Sequence, residues 1–123
     1  MIKGNKIPFV NENSNMKNAL KILSKKNLGV LIVRNKNKKT TGVITDGDLK
    51  RAIAKNTEIK NINLKKIMSK NPISINQNEL AVEALSLMTS KKKITSLCVY
   101  KNKNKNQTVG LIHIHNILNA NIS

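Results

Sequence analysis

The stretch Gly42-Val43-Ile44-Thr45-Asp46-Gly47-Asp48-Leu49 decides the fold, because a buried strand ends in it and a helix begins at once. Val43 and Ile44 belong to a short, continuous apolar run of the kind found in strands covered on both faces. Thr45 and Asp48 have the spacing of a capping box, in which two side chains satisfy the free N–H groups of a helix N-terminus. The stretch therefore predicts a strand-to-helix corner at Thr45.

The same corner has the chemistry to bind a sugar phosphate. Free N–H groups and the helix dipole favour an anion at this position, and the Thr45 hydroxyl adds a donor. Gly47 removes a side chain where a ligand approaches the backbone. The Asp48 carboxylate can accept hydrogen bonds from a ribose diol, as an acidic residue does in dinucleotide-binding folds. A structural cap and a ligand site are both compatible with these residues, and the two roles are not exclusive.

Outward from this corner, the chain repeats itself. An apolar helix face, a buried strand, the corner strand and an apolar position of the following helix recur in the same order. The matching residues are Met16, Ala19, Leu20 and Leu23 with Ala81, Ala84, Leu85 and Met88; Leu31-Ile32-Val33 with Leu97-Cys98-Val99; Gly42-Val43-Ile44 with Gly110-Leu111-Ile112; and Leu49 with Ile117. A repeat of about sixty residues is marginally stable alone. We therefore expect the two halves to pack together with pseudo-two-fold symmetry.

Each half is predicted to run strand, helix, strand, strand, helix, which places the chain in the α/β class. The expected elements are Ile7–Val10, Asn15–Lys26, Val30–Val33, Gly42–Thr45 and Asp46–Lys55, then Ile73–Ile75, Glu79–Lys91, Ser96–Tyr100, Val109–His113 and Ile114–Ala120. The Lys/Asn-rich loops are predicted to join strands as hairpins. A short helical turn at Leu64–Met68 connects the halves, and Pro72 stops it. The repeats are placed at residues 1–62 and 63–123.

The net charge of +17, from 23 Lys and Arg against 6 Asp and Glu, suggests a nucleic-acid-binding protein. Two features argue against that interpretation. The cations are mostly lysines scattered among asparagines in loops such as residues 35–39 and 101–105, and aromatic residues make up only 2% of the chain, so bases have no stacking platform. We favour solvated surfaces that attract anionic ligands, and nucleic-acid binding is kept as an alternative.

Cys98 is the only cysteine, which excludes a disulfide framework and indicates a reducing cytoplasm. It lies in an apolar run, as a small buried hydrophobe does. No apolar stretch approaches the ~20 residues of a membrane helix, and the N-terminus lacks a signal-peptide core. We expect a soluble cytoplasmic protein with no membrane partner.

The tandem Gly-apolar-apolar-Thr-x-x-Asp-apolar pattern resembles the CBS domain pair, or Bateman module. Residues 42–51 are similar to the G-[IV]-[FIV]-T-D-G-D-L-R-R segment of the KpsF/GutQ family of D-arabinose 5-phosphate isomerases. Lys93-Ile94-Thr95-Ser96-Leu97 is similar to their K-I-T-S-L, and Gly110–Leu118 to their G-V-V-H-L-H-D-L-L. The resemblance covers the whole chain.

This resemblance implies a regulatory CBS pair from the C-terminal part of a longer enzyme, with a sugar isomerase domain upstream that is absent here. The parent would interconvert D-ribulose 5-phosphate and D-arabinose 5-phosphate for Kdo and lipopolysaccharide biosynthesis. The regulatory ligand would be CMP-Kdo or an AMP- or ATP-type nucleotide, and the pair would form a homodimer within a tetrameric parent. The implied ligand-binding residues are Val43, Ile44, Thr45, Gly47, Asp48, His113, His115 and Asn116.

The second corner departs from the first. His113 stands where Thr45 stands, and Asn116 replaces Asp48, so it lacks a carboxylate's charge-assisted hydrogen bond. We expect one stronger and one weaker site. His113 and His115 alone are an incomplete ligand set, so no metal is predicted.

No nucleophile–base pair is evident, so this fragment is not expected to be an enzyme. Three alternatives stay open. The parent could be a sugar nucleotidyltransferase, some of which carry CBS pairs with a similar T-D-G-D-[IL]-R-R stretch. The chain could instead bind nucleic acid through its basic charge, or the repeats could only dimerise as a scaffold with Thr45 and Asp48 serving purely as a cap.

Overall fold

The computed structural model describes residues 2–55, 58–70, 74–76, 96–100 and 107–113. It is a mixed α/β protein, as the sequence predicts. The strands are β1 (Ile2–Lys3), β2 (Phe9–Asn11), β3 (Val30–Arg34), β4 (Thr40–Thr45), β5 (Ser74–Asn76), β6 (Ser96–Tyr100) and β7 (Thr108–His113), and the helices are α1 (Met16–Lys26), α2 (Asp46–Lys55) and α3 (Leu64–Ile67). Short 3₁₀ turns occupy Gly4–Lys6 and Ile59–Asn61.

The chain divides into two compact units. One is the continuous segment Pro8–Pro72, and the other combines Met1–Ile7 with Ile73–Ser123. The continuous unit holds the sheet β2-β3-β4, and the other holds the sheet β1-β7-β6-β5. No helix among the described residues is both long and apolar enough to cross a membrane.

The two sheets repeat one topology and one register. β2 lies parallel to β3, which forms an antiparallel hairpin with β4, and β5, β6 and β7 are arranged in the same way. Each hairpin has a register irregularity at the same place, after Val33 in β3 and after Val99 in β6. The duplication read from the sequence is therefore a duplication of strand pairing.

Helix α1 forms where its sequence predicts. The Asn15 side chain accepts a hydrogen bond from the Asn18 N–H at 2.8 Å, which caps the N-terminus. Met16 and Ala19 are buried on its apolar face. The helix ends at Asn27, whose φ of 53° is the left-handed conformation that asparagine tolerates at a C-terminus.

The β3–β4 hairpin is built by an asparagine rather than by a glycine turn. The Asn35 side chain accepts hydrogen bonds from the N–H groups of Asn37 and Lys39, both at 3.0 Å. This local bonding is typical of asparagine in turns. One of the Lys/Asn-rich loops thus has a defined structural role, and the predicted hairpin is confirmed there.

The hydrophobic core of the continuous unit lies between β3, β4 and the helices. Leu31, Val33, Ile44 and Leu64 are fully buried in it. At the edge strand β2, the Arg34 guanidinium lies 3.8 Å from the centre of the Phe9 ring, which is a cation–π contact.

The first strand of the chain begins later than predicted, because β2 lies at Phe9–Asn11 rather than at Ile7–Val10. In the second half, β5 lies at Ser74–Asn76 and contains the described residues of the predicted strand Ile73–Ile75. Pro8 has no N–H for a sheet and contributes only its carbonyl, which accepts from the Ile32 N–H at 2.9 Å. The predicted helices Glu79–Lys91 and Ile114–Ala120 lie outside the described residues.

Strand β1 is an addition that the sequence reasoning missed. Ile2 pairs with Leu111 and Lys3 with Gly110. In the continuous unit, Ser69 pairs with Val43 in the same antiparallel sense, and Val43 is the residue that corresponds to Leu111. Each corner strand therefore has a second backbone partner, supplied by the segment just before β2 or β5.

Candidate functional site

The strand-to-helix corner is closed by two reciprocal hydrogen bonds. The Thr45 N–H donates to Asp48 Oδ2 at 2.9 Å, and the Asp48 N–H donates to Thr45 Oγ1 at 3.1 Å. This is the geometry of a capping box. The cap that the sequence predicts at this corner is thus present, and α2 begins at Asp46.

The second carboxylate oxygen of Asp48 is also engaged. Arg51, one turn further along α2, places Nη2 2.6 Å from Asp48 Oδ1. The Asp48 side chain is 17% exposed, whereas that of Arg51 is 67% exposed. A ligand hydroxyl that approaches Asp48 must therefore share this carboxylate with the cap and with an exposed cation.

Gly47 leaves the backbone open between these groups. A Cβ atom at this position would lie 3.3 Å from Arg51 Nη1 and 3.8 Å from Thr45 Oγ1. The guanidinium and the hydroxyl thus both border the side of Gly47 where a side chain would be. A phosphate at this place would meet a cation, a hydroxyl and the positive end of α2.

The two strand residues predicted to contact ligand lie differently. Ile44 is completely buried in the core. Val43 is half-buried, and its backbone exchanges hydrogen bonds with Ser69, with N···O distances of 3.0 and 2.8 Å. Thr45, Gly47 and Asp48 are therefore the predicted residues that the structure brings together at the corner.

The second corner is described only in part. His113 ends β7 and pairs with Ser96, as Thr45 ends β4 and pairs with Val30. The predicted equivalence of His113 and Thr45 thus holds for the backbone. His115 and Asn116 lie outside the described residues, and so does the His113 side chain.

A groove between α2 and α3 adjoins Asp48. Its volume is about 290 Å³, and its lining residues are Asp48, Arg51, Ala52, Lys55, Lys66 and Ile67. Arg51, Lys55 and Lys66 are not among the binding residues predicted from the sequence. A signal for Arg51 was available, because it lies at i+3 from Asp48 on a predicted helix. Lys66 belongs to another element, and no local spacing joins it to the corner.

Comparison with known proteins gives these features a context. The sequence model of the CBS domain matches residues 1–55 and 64–123. Arabinose 5-phosphate isomerase KdsD of Salmonella typhimurium is 33% identical over 122 residues, which are 99% of this chain and 36% of that protein. The chain thus spans about a third of the length of the curated relatives it matches.

Two solved structures show the same fold with ligands. CBSX2 in complex with AMP has a TM-score of 0.78 at 22% identity, covering 99% of this chain and 92% of that one. The CBS domain pair of MJ0100, in complex with 5′-methylthioadenosine and S-adenosyl-L-methionine, has a TM-score of 0.79 at 25% identity, covering 97% and 90%.

Proposed function

The chain belongs to the CBS domain family, and from that premise we propose that it is a regulatory module that senses a nucleotide and performs no chemistry itself. The observation that carries the proposal is the corner at which the Thr45 hydroxyl, the bare backbone of Gly47 and the Asp48 carboxylate converge. These groups suit a phosphate and a ribose diol side by side.

The proposed ligand is an adenine nucleotide or a nucleotide-sugar. AMP, 5′-methylthioadenosine and S-adenosyl-L-methionine, which occupy the two related structures, all contain a ribose. Asp48 would bind the ribose hydroxyls, and Thr45 with the start of α2 would bind the phosphate. Val43 and Ile44 would shape the strand behind the ligand.

We propose further that the module regulates a D-arabinose 5-phosphate isomerase, which the 33% identity to KdsD supports. The parent would interconvert D-ribulose 5-phosphate and D-arabinose 5-phosphate in the cytoplasm, on the route to Kdo and lipopolysaccharide. CMP-Kdo would then be a feedback ligand, acting by different affinities for two states of the enzyme. CBS pairs would form a homodimer within a tetrameric enzyme.

The two corners are proposed to differ in strength. His113, His115 and Asn116 would form the second site, in which a neutral amide replaces a carboxylate. An amide makes a weaker hydrogen bond to a hydroxyl than a carboxylate does. We expect one tight and one weak binding event.

Titration calorimetry with AMP, ATP and CMP-Kdo tests the proposal. Saturable binding of one of them is expected, and Asp48→Ala should weaken it by roughly tenfold or more because a charge-assisted hydrogen bond is lost. Asp46→Ala is the matched control, since it removes from the same turn a carboxylate that pairs with the exposed Lys50. Absence of heat with all three ligands up to about 1 mM, the range of weak binding, would refute the proposal.

A scaffold is the second candidate, because the cap alone accounts for the bonds between Thr45 and Asp48. On that hypothesis Asp48→Ala lowers the melting temperature, and no nucleotide raises it. Nucleic-acid binding would instead be unchanged by Asp48→Ala, and its affinity would fall steeply as the salt concentration rises.

A further inference from the structure

The groove between α2 and α3, called here the α2–α3 groove, has a strong excess of positive charge. Arg51, Lys55 and Lys66 line it, against the single carboxylate of Asp48. Within the part of the chain that the structure describes, neither Lys55 nor Lys66 has an acidic partner within 4 Å. The groove therefore offers two uncompensated cations and a third that is only partly compensated.

The ion pair of Arg51 with Asp48 is easily exchanged. A single guanidinium nitrogen makes it, and the arginine side chain is 67% exposed, so water and salt screen the attraction. A phosphate offers several oxygens and more charge, and it can engage arginine through two parallel hydrogen bonds. An incoming phosphate thus competes well for Arg51.

Asp48 gains from such an exchange. One of its oxygens stays on the Thr45 N–H, while the oxygen now held by Arg51 would be released towards a ligand hydroxyl. Phosphate binding and sugar binding are then coupled through one side chain, since each makes the other more favourable.

We propose that the α2–α3 groove is an anion subsite for the phosphate chain of the ligand, and that Arg51 moves from Asp48 to this phosphate when the ligand binds. The proposal rests on the proposed nucleotide-sensing function and adds its selectivity. Nucleotides with a phosphate chain are selected over nucleosides, because a nucleoside leaves Arg51 on the carboxylate that its ribose needs.

The overall positive charge of the protein must be separated from this local effect. Lys65 is next to Lys66 on α3, is exposed and does not line the groove. Lys50 is next to Arg51 on α2, is 76% exposed, and is also absent from the lining. Lys65→Gln and Lys50→Gln therefore remove the same charge as Lys66→Gln and Arg51→Gln without altering the groove.

The test is titration calorimetry of the native chain and these four variants with adenosine, AMP, ADP and inorganic pyrophosphate. ADP should bind at least roughly tenfold more tightly than adenosine, the effect of one charge-assisted contact. We expect Lys66→Gln and Arg51→Gln to remove most of the preference for ADP over adenosine and to weaken pyrophosphate binding. We expect Lys65→Gln and Lys50→Gln to change the preference for ADP and the affinity for pyrophosphate by less than about twofold, because solvent and salt screen these surface charges.

The possible results distinguish failure of the anion subsite from failure of the proposed nucleotide-sensing function. If ADP binds no better than adenosine, or if the control variants lose as much as the groove variants, the subsite is refuted while nucleotide sensing stands. If no nucleoside or nucleotide binds, the sensing function fails, and pyrophosphate binding that depends on Lys66 but not on Lys65 would still support an anion subsite. Pyrophosphate binding that all four variants weaken equally would refute it.

Discussion

At the scale of single residues, the side chains of Thr45 and Asp48 cap the N-terminus of α2. Each side chain accepts the other's backbone N–H, at 3.1 and 2.9 Å, so the protein's own hydrogen bonds preform the corner. A preformed corner loses less conformational entropy when a ligand binds. The cap and the binding site are in this sense one feature.

The cap itself can be measured. Thr45→Ala should lower the free energy of unfolding by about 1 kcal/mol, because the Asp48 N–H loses its acceptor. Thr45→Ser keeps the hydroxyl and should retain most of that stability. Urea unfolding of both variants provides the measurement, and equal losses for alanine and serine would show that the methyl group matters rather than the cap.

Cys98 is a second residue whose surroundings set its chemistry. Burial raises the pKa of its thiol from 9.0 to about 11, although a hydrogen bond with Thr108 acts in the opposite direction. The thiol therefore stays protonated at neutral pH and is a poor nucleophile. This agrees with its interpretation from the sequence as a small buried hydrophobe.

The raised pKa of Cys98 predicts how stability depends on pH. Below pH 9.0 the Cys98 thiol is protonated in both the folded and the unfolded chain, so it does not make the free energy of unfolding depend on pH. Between pH 9.0 and about 11 only the unfolded chain loses this proton, so the free energy of unfolding falls as the pH rises. Urea midpoints at about pH 8 and about pH 10.5 should therefore fall less in Cys98→Ala than in the native chain. Equal falls would contradict the prediction.

At the scale of elements, the corner strand β4 is packed too closely for a side chain at Gly42. A Cβ atom there would lie 2.8 Å from both Met68 Sδ and the Ser69 carbonyl oxygen. The Ser69 carbonyl also pairs with Val43, so it cannot move without loss of a backbone hydrogen bond.

Gly42→Ala should therefore lower the free energy of unfolding by about 1–3 kcal/mol, the usual cost of overpacking. Gly47→Ala is the contrasting variant, since its nearest neighbour is the end of the flexible Arg51 side chain at 3.3 Å. It should be neutral or stabilising by up to about 1 kcal/mol, because alanine is the better helix former. Thermal and urea unfolding measure both, and a milder effect at Gly42 than at Gly47 would be contrary to the packing argument.

Elements determined by neighbouring residues were predictable from the sequence. Helices α1 and α2 follow from apolar spacing and caps, and the β3–β4 hairpin from a polar loop between two apolar runs. Strand β1 and the Ser69 bridge were not predictable, because Ile2 pairs with Leu111 and nothing local marks either residue.

The residues of the candidate site also divide into those that a local motif identifies and those that only tertiary packing brings there. Thr45 and Asp48 are three residues apart and form a local motif that sequence reasoning finds. Lys66 reaches the α2–α3 groove only because α3 lies beside α2. Tertiary packing therefore adds the cations to a corner that the sequence alone locates.

At the scale of the whole molecule, the charge of +17 acts as a repulsive field. Three ion pairs among the described residues are Lys50–Asp46, Arg51–Asp48 and Lys60–Glu58, and each includes a strongly exposed cation. Such pairs offset little of the repulsion among the remaining lysines.

Added salt should therefore raise the melting temperature. Between about 0.02 M and about 0.2 M NaCl the screening length falls to below roughly 10 Å, and repulsion between lysines weakens. Circular dichroism melts at these two concentrations measure the effect, with sucrose as an uncharged control for general solute effects. A melting temperature that falls with salt would mean that attractive pairs outweigh repulsion.

The pairing of β1 with β7 affects how the polypeptide folds as it is synthesised. Ile2 leaves the ribosome about 110 residues before its partner Leu111, a delay on the order of 5 to 20 seconds at ordinary translation rates. The continuous segment Pro8–Pro72 emerges whole during that interval and has all of its own strands available. The strands of the continuous unit can therefore pair with one another before the residues that pair with β1 have been synthesised.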